Sequence, residues 1–167
     1  MAFYTRIKQT PIIQRVSHRD FALGNHYRSE NKNGVVLIQI VDPCIEFPKP
    51  LHHFTEIHQF EFTDVECPSN ITWEFRMSVA QANQIVEILC NAHKKKMDVI
   101  VHCNKGVSRS GAVVAMATYM GFKPLNEPSH FTNKYMLGLL KSCYVYRVKR
   151  QAFSGVRSQT PEPEPHL

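Results

Sequence analysis

Val99–Gly111 reads VIVHCNKGVSRSG. Three β-branched residues run into His102 and Cys103, a loop containing Gly106 follows, and Arg109-Ser110-Gly111 opens the next segment. Asp98–His102 has the continuous apolar, β-branched character of a strand covered on both faces. Ser110 to about Met120 carries helical spacing, and Gly121 suits the position just past a helix end. Strand, short loop and helix in succession belong to the unit from which parallel sheets are built.

The neighbouring segments repeat the alternation. Val35–Val41, VVLIQIV, is a second buried strand, closed by Asp42-Pro43 and preceded by the turn signal Asn31–Gly34. Ile57–Phe62 alternates in part and reads as a third strand. A proline-broken connection, CIEFPKPLHHF, separates those two. Ser78 and Gln81 form a capping-box pattern, and Val79, Ala82, Ile85, Val86, Leu89 and Cys90 then recur at helical spacing. A last helix is expected from about Phe131 to Cys143. The fold class is therefore α/β, a central mostly parallel sheet flanked by helices. One domain is expected over residues 1–153, within which 1–34 resist placement. The tail 154–167, SGVRSQTPEPEPHL, has little to bury and reads as disordered.

Composition narrows the class. At 43% hydrophobic and 20% charged, the 167 residues suit an ordinary soluble domain with a full core. The net charge of +6 is dispersed. Its only dense run, His93–Lys96, falls at an expected helix C-terminus, where cations oppose the dipole. Cys44, Cys67, Cys90, Cys103 and Cys143 are irregularly spaced and odd in number, against a disulfide framework or zinc knuckle. His52, His53 and His58 lack regularly spaced acidic or cysteine partners and read as loop histidines, not metal ligands. Trp73 and Phe75 read as core aromatics. Neither a signal peptide nor an apolar run long enough to span a membrane is present, so a cytoplasmic location is expected.

The chemistry concentrates in the loop. In open α/β sheets ligands bind beyond the carboxyl ends of the strands. Asn104, Lys105, Gly106, Val107, Ser108 and Arg109 lie there, and their backbone N–H groups converge with a helix N-terminus into an anion nest. The spacing is not that of a nucleotide-binding loop. Cys103 is placed as a nucleophile, for which the thiolate is needed; helix terminus, amides and Arg109 all favour that form. Arg109 can grip a phosphate through two parallel hydrogen bonds.

His102-Cys103-x-x-Gly106-x-Ser108-Arg109-Ser110 resembles the signature loop of the dual-specificity protein phosphatases, within the cysteine-dependent protein tyrosine phosphatase superfamily. The likeness extends loosely over residues 35 to 143. The small low-molecular-weight phosphatases, with their Cys-x5-Arg near the N-terminus, fit poorly. The resemblance implies a phosphotyrosine-phosphatase-like fold and hydrolysis of phosphomonoesters through a phosphocysteine formed on Cys103. It implies that the amides of residues 104–109 and Arg109 bind the phosphate, that Ser110 assists the departing thiolate, and that His102 orients the loop and favours the thiolate. No cofactor and no metal are implied. A general acid is needed, and the family takes it from an aspartate some way upstream; Asp64 has the fitting position, with Asp42 and Glu66 as alternatives. The Trp-Pro-Asp loop of the larger tyrosine-specific enzymes is missing. Asn133 resembles an asparagine that braces the signature loop in some members, and equally suits a helix N-terminus.

Phosphorylated proteins, carrying phosphotyrosine and phosphoserine or phosphothreonine, are the expected substrates. RNA 5′ ends and phosphoinositides are the alternatives, although Lys105 stands alone where lipid-acting relatives are rich in lysine. A catalytically dead module that only binds phosphorylated partners is the reading from another class. Intact Cys103, Arg109 and Ser110 argue against it.

Overall fold

Val35–Val41 forms a strand without polar alternation because both of its faces are covered. In the computed structural model, which describes residues 10–66 and 75–156, this strand (β2) lies inside a five-stranded sheet. The elements run β1 (Ile12–Ser17), α1 (His18–Ala22), β2 (Val35–Val41), β3 (Glu56–Glu61), α2 (Val79–Lys95), β4 (Asp98–Cys103), α3 (Arg109–Tyr119), β5 (Lys123–Pro124) and α4 (Lys134–Val156). The strand order is β3-β2-β4-β1-β5, and every pairing is parallel.

Alternation along each strand sorts the core into two layers. Val36, Ile38 and Ile40 of β2, with Val99, Val101 and Cys103 of β4, join the larger cluster with residues of α2, α3 and α4. Leu37 and Ile100 face the other way, against Val16, Phe21 and Phe54. Gln39 is fully buried on β2, yet both ends of its amide are used: Nε2 donates to Pro48 O at 2.8 Å, and Oε1 accepts from Gln59 at 2.9 Å. It thereby ties the proline-broken connection to the sheet.

Local signals set the helix ends. The Ser78/Gln81 capping box is formed, and α2 closes on Lys96 in the left-handed region (φ 60°) after His93, Lys94 and Lys95. Gly121, at φ +101°, follows the C-cap Met120 of α3. Helix α4 begins at Lys134, later than expected, because Asn133 Oδ1 accepts from Met136 N at 2.8 Å and so occupies the capping position. It continues past Cys143 to Val156 with Val145, Tyr146, Val148 and Phe153 exposed. The expected disordered tail thus starts inside a helix, and its residues 157–167 lie outside the described ones. None of the described helices is long and apolar enough to cross a membrane.

The unplaced residues 1–34 supply β1 and α1. Strand β1 pairs with β4 along its length, Ile13 opposite Val99 and Ser17 opposite Cys103. Buried Asp98 fastens its start, accepting from Ile12 N at 2.8 Å and Asn31 Nδ2 at 3.0 Å, with Ser29 Oγ on its other oxygen. Phe75 is 51% exposed and is not a core aromatic; Trp73 and Cys67 lie outside the described residues. Cys44 is exposed, whereas Cys90 and Cys143 pack with the core.

His102 is fully buried beneath the sheet end. Its ring stacks on Phe21 (centroids 4.6 Å apart) and meets His18 edge-on at 5.7 Å. Neither ring nitrogen has a hydrogen-bond partner among the described residues. Burial first, then His18 and Arg109, lower its pKa to about 3 from the ordinary 6.5. The folded protein therefore holds this ring neutral while the unfolded chain protonates it below pH 6.5. The stability it contributes is complete above pH 6.5 and is lost as pH falls from there toward 3. Between pH 7 and 5 the wild type is expected to lose roughly 2 kcal/mol more than His102→Phe. Urea unfolding at the two pH values measures the difference, and parallel losses in the two proteins would refute it.

Candidate active site

A parallel sheet delivers the carboxyl ends of all its strands to one side. There the loop after β4 meets residues following β1 (His18), β2 (Asp42) and β3 (Asp64). Among the described residues, no amide of residues 104–109 donates a hydrogen bond. The alternate carbonyls of the same stretch are all anchored. Asn104 O accepts from His18 N at 3.1 Å, Gly106 O from Arg15 Nη1 at 2.5 Å, and Ser108 O from Ala112 N at 3.0 Å and Asn133 N at 3.3 Å. In a trans peptide the following N–H points opposite to the carbonyl, and no cis peptide occurs among the described residues. The amides of Lys105, Val107 and Arg109 are thus turned away from these anchors.

Gly106 is required twice over. Its φ is +69°, and a Cβ there would lie 2.5 Å from Ser17 N and 2.7 Å from Val16 C. Those neighbours are backbone of β1 and cannot give way.

Cys103 is 2% exposed at the base of the loop. Its Sγ lies 3.2 Å from Ser110 Oγ and accepts from Ser110 N at 3.5 Å. The Ser110 N–H and the N-terminus of α3 thus turn positive dipole toward the sulfur. Ser108, the N-cap of α3, makes no side-chain cap bond, so the first amides of the helix are not covered by it. The ring of His102 is buried and neutral, so it brings no positive charge to the sulfur.

Arg109 is almost fully buried. Nη1 donates to Asp42 Oδ1 at 3.2 Å and Phe62 O at 2.6 Å, and Nη2 donates to Asp42 Oδ2 at 3.0 Å. A guanidinium has five N–H groups in a planar fork. These contacts leave Nε, which has no partner among the described residues, and one hydrogen of Nη2 on the same edge. That edge matches two oxygens of a tetrahedral anion.

The partners separate the three acid candidates. Asp42 is engaged in the ion pair with Arg109. Glu66 Oε1 accepts from Lys134 N at 3.1 Å at the start of α4. Asp64 touches the loop itself: its Oδ1 accepts from Ser108 Oγ at 2.7 Å and Asn133 Nδ2 at 2.8 Å. Asn133 therefore serves both readings, capping α4 and bracing the loop. Beside it runs a groove of about 620 Å³, lined by Asp64, Glu66, Lys105, Ser108, Phe131 and Lys134 among others. Of the three histidines singled out in the sequence, His58 pairs with Glu56 at 3.3 Å, and His52 meets the ring of His26. Among the described residues no cluster of three or more His, Cys, Asp or Glu is arranged to hold a metal.

The model of the protein-tyrosine phosphatase family matches residues 46–136, more than half of the chain. This chain belongs to the protein-tyrosine phosphatase family. Comparison with curated proteins gives no match. Among solved structures, Tk-PTP in its active form is 15% identical, over 81% of this chain and 92% of that one, with a TM-score of 0.47. A human tyrosine phosphatase-like serine/threonine/tyrosine-interacting protein is 16% identical, over 80% and 91%, with a TM-score of 0.46.

Sequence reasoning missed Arg15 and the backbone of His18, which anchor this phosphatase's loop from β1. Asp42 was weighed only as an acid, and its pairing with Arg109 is a tertiary fact. The Asp-Pro stop at the end of β2 was the sole sequence signal available for it. Gly106→Ala is expected to lower hydrolysis of an aryl phosphate by about a hundredfold or more, since ångström-scale displacement of binding groups costs that much. Steady-state kinetics on the folded variant measures this, and wild-type turnover would show that the β1 contact does not shape the loop.

Proposed function

We propose that this chain hydrolyses phosphomonoesters in proteins, on tyrosine and on serine or threonine, through a phosphocysteine on Cys103. Residues 1–153 act as one phosphatase domain. The carrying observation is that, among the described residues, none of the six amides at 104–109 donates a hydrogen bond, in a loop that joins a buried cysteine to an arginine whose Nε has no partner there. Fixed dipoles of this kind are suited to the charge on three equatorial phosphoryl oxygens.

In the first step the Cys103 thiolate attacks phosphorus while the P–O bond to the leaving group breaks. The electron pair goes to that oxygen, which takes a proton from Asp64. Oδ1 of Asp64 is held by Ser108 and Asn133, so Oδ2 is the oxygen that carries the proton. In the second step water attacks phosphorus, Asp64 takes the proton, and the P–S bond breaks. The sulfur leaves as a thiolate, met by the hydroxyl and amide of Ser110. Arg109, oriented by Asp42, follows the phosphoryl group through both steps.

Two variants test this reading. Cys103→Ser should abolish release of phosphate from a phosphotyrosine peptide while retaining binding of the peptide; equal hydrolysis by variant and wild type would sink the thiolate mechanism. Asp64→Asn should slow alkyl and phenyl phosphates by about a hundredfold to ten-thousandfold, the usual worth of a general acid. p-Nitrophenyl phosphate, whose leaving group scarcely needs a proton, should lose far less. Equal losses across leaving groups would remove Asp64 from the role. A wild type that binds phosphopeptide without releasing phosphate would show a binding module.

A further inference from the structure

Strand β1 offers the loop something no helix dipole can: a cation behind its backbone. Arg15 is only partly exposed, and its two terminal nitrogens bridge two segments. Nη1 donates to Gly106 O, at the middle of the loop, and Nη2 donates to Glu127 O at 3.1 Å, in the connection between β5 and α4. Its backbone N also donates to Asn126 Oδ1 at 2.7 Å, fixing the same connection against β1. No carboxylate among the described residues pairs with this guanidinium.

The Gly106–Val107 peptide is the hinge that needs holding. Glycine tolerates either orientation of the peptide plane that follows it. In one orientation the carbonyl faces Arg15 and the Val107 amide faces the opposite side. In the other, the carbonyl oxygen would point where the amides of Lys105 and Arg109 point, placing a negative dipole in the anion nest. His18 N and Asn133 N hold the flanking planes through backbone contacts, whereas the central plane depends on one side chain.

We infer that Arg15 is a positioning residue for phosphate binding: it clamps the Gly106 carbonyl outward, keeps the Val107 amide aimed at the phosphoryl oxygens, and adds an unneutralised positive charge behind them. This rests on the phosphatase reading of the loop. It extends the site to a strand outside the matched family region, residues 46–136. Arg15 itself touches neither substrate nor the reacting atoms.

The test compares wild type, Arg15→Met and Arg15→Lys, with inorganic phosphate as competitive inhibitor of aryl phosphate hydrolysis. Arg15→Met should raise the inhibition constant for phosphate by about tenfold to a hundredfold, the worth of a hydrogen bond from a charged donor. KM should rise in parallel, and the dependence on leaving group should keep its wild-type slope, since Asp64 is untouched. Arg15→Lys, which keeps the charge but cannot span both carbonyls, should recover part of the affinity. Thermal unfolding with and without phosphate checks that the variants fold, and a variant needing the clamp shows a smaller phosphate-induced shift. If Arg15→Met does not fold, Arg15→Lys decides by the same constant. Wild-type phosphate affinity in the folded variant would overturn the clamp while leaving the phosphatase reading intact. A wild type that neither binds phosphate nor hydrolyses the ester would overturn both.

Discussion

A run of six backbone amides, residues 104–109, none donating a hydrogen bond among the described residues, is a poor way to fold a loop. The chain gains nothing from them until an anion arrives. The rest of the molecule can be understood as what keeps that loop open. Three alternate carbonyls are held from outside by four elements: β1 through Arg15, α1 through His18, α3 through Ala112, and the start of α4 through Asn133. The close approach of Gly106 to the Val16–Ser17 backbone makes β1 a wall. Strand β1 can reach that place because it pairs with β4 in parallel and ends beside Cys103. An antiparallel neighbour would have ended at the other side of the sheet, with its exit loop out of reach.

The same geometry sets the electrostatics. Burying Arg109 would be costly without a partner. Asp42, at the end of β2, meets it with two oxygens, and the carbonyl of Phe62 takes another N–H. A buried pair of this kind is weak as a source of stability. Its value lies in orientation, because a guanidinium gripped on one side presents a fixed edge on the other. Asp64 is coupled to the loop in a similar way. Ser108 belongs to the loop and Asn133 to α4, and both hold one oxygen of Asp64. Asp64, the loop and the start of α4 are therefore coupled through one carboxylate oxygen.

What was legible in the sequence was local. The strands β2 and β4 announce themselves by uninterrupted β-branched runs, α2 by its capping box, and the loop by residues packed into one contiguous stretch. Strand β1, IIQRVS, hides because its polar residues have work elsewhere: Gln14 accepts from Tyr27 N, and Arg15 reaches the loop. Its pattern therefore lacks the signature of a buried strand although Ile13 and Val16 are buried. Helix α1 is too short for a period to register. The end of α4 was misplaced for the opposite reason: its apolar residues beyond Cys143 are exposed, so spacing that marks a buried face fades while the helix goes on. Separation along the chain favours Asp64 over Asp42 as the proposed acid, but it carries no sign that Asp42 pairs with Arg109.

His102 shows how a residue inside a recognisable motif can carry a role its chemistry does not advertise. A histidine beside a nucleophilic cysteine suggests a cation that supports the thiolate. Here the ring is sealed between Phe21 and His18, neutral down to about pH 3, and unbonded at both nitrogens. Charge support for the sulfur must come from groups that do not titrate near neutrality: the amide dipoles of the loop and α3, and the guanidinium of Arg109, which stays protonated in proteins. With Arg15 behind the loop as a second such cation, the anion site keeps its polarity across the range in which histidines would switch. In the proposed mechanism the proton traffic is left to the thiol and to Asp64, which Ser108 and Asn133 hold beside the loop.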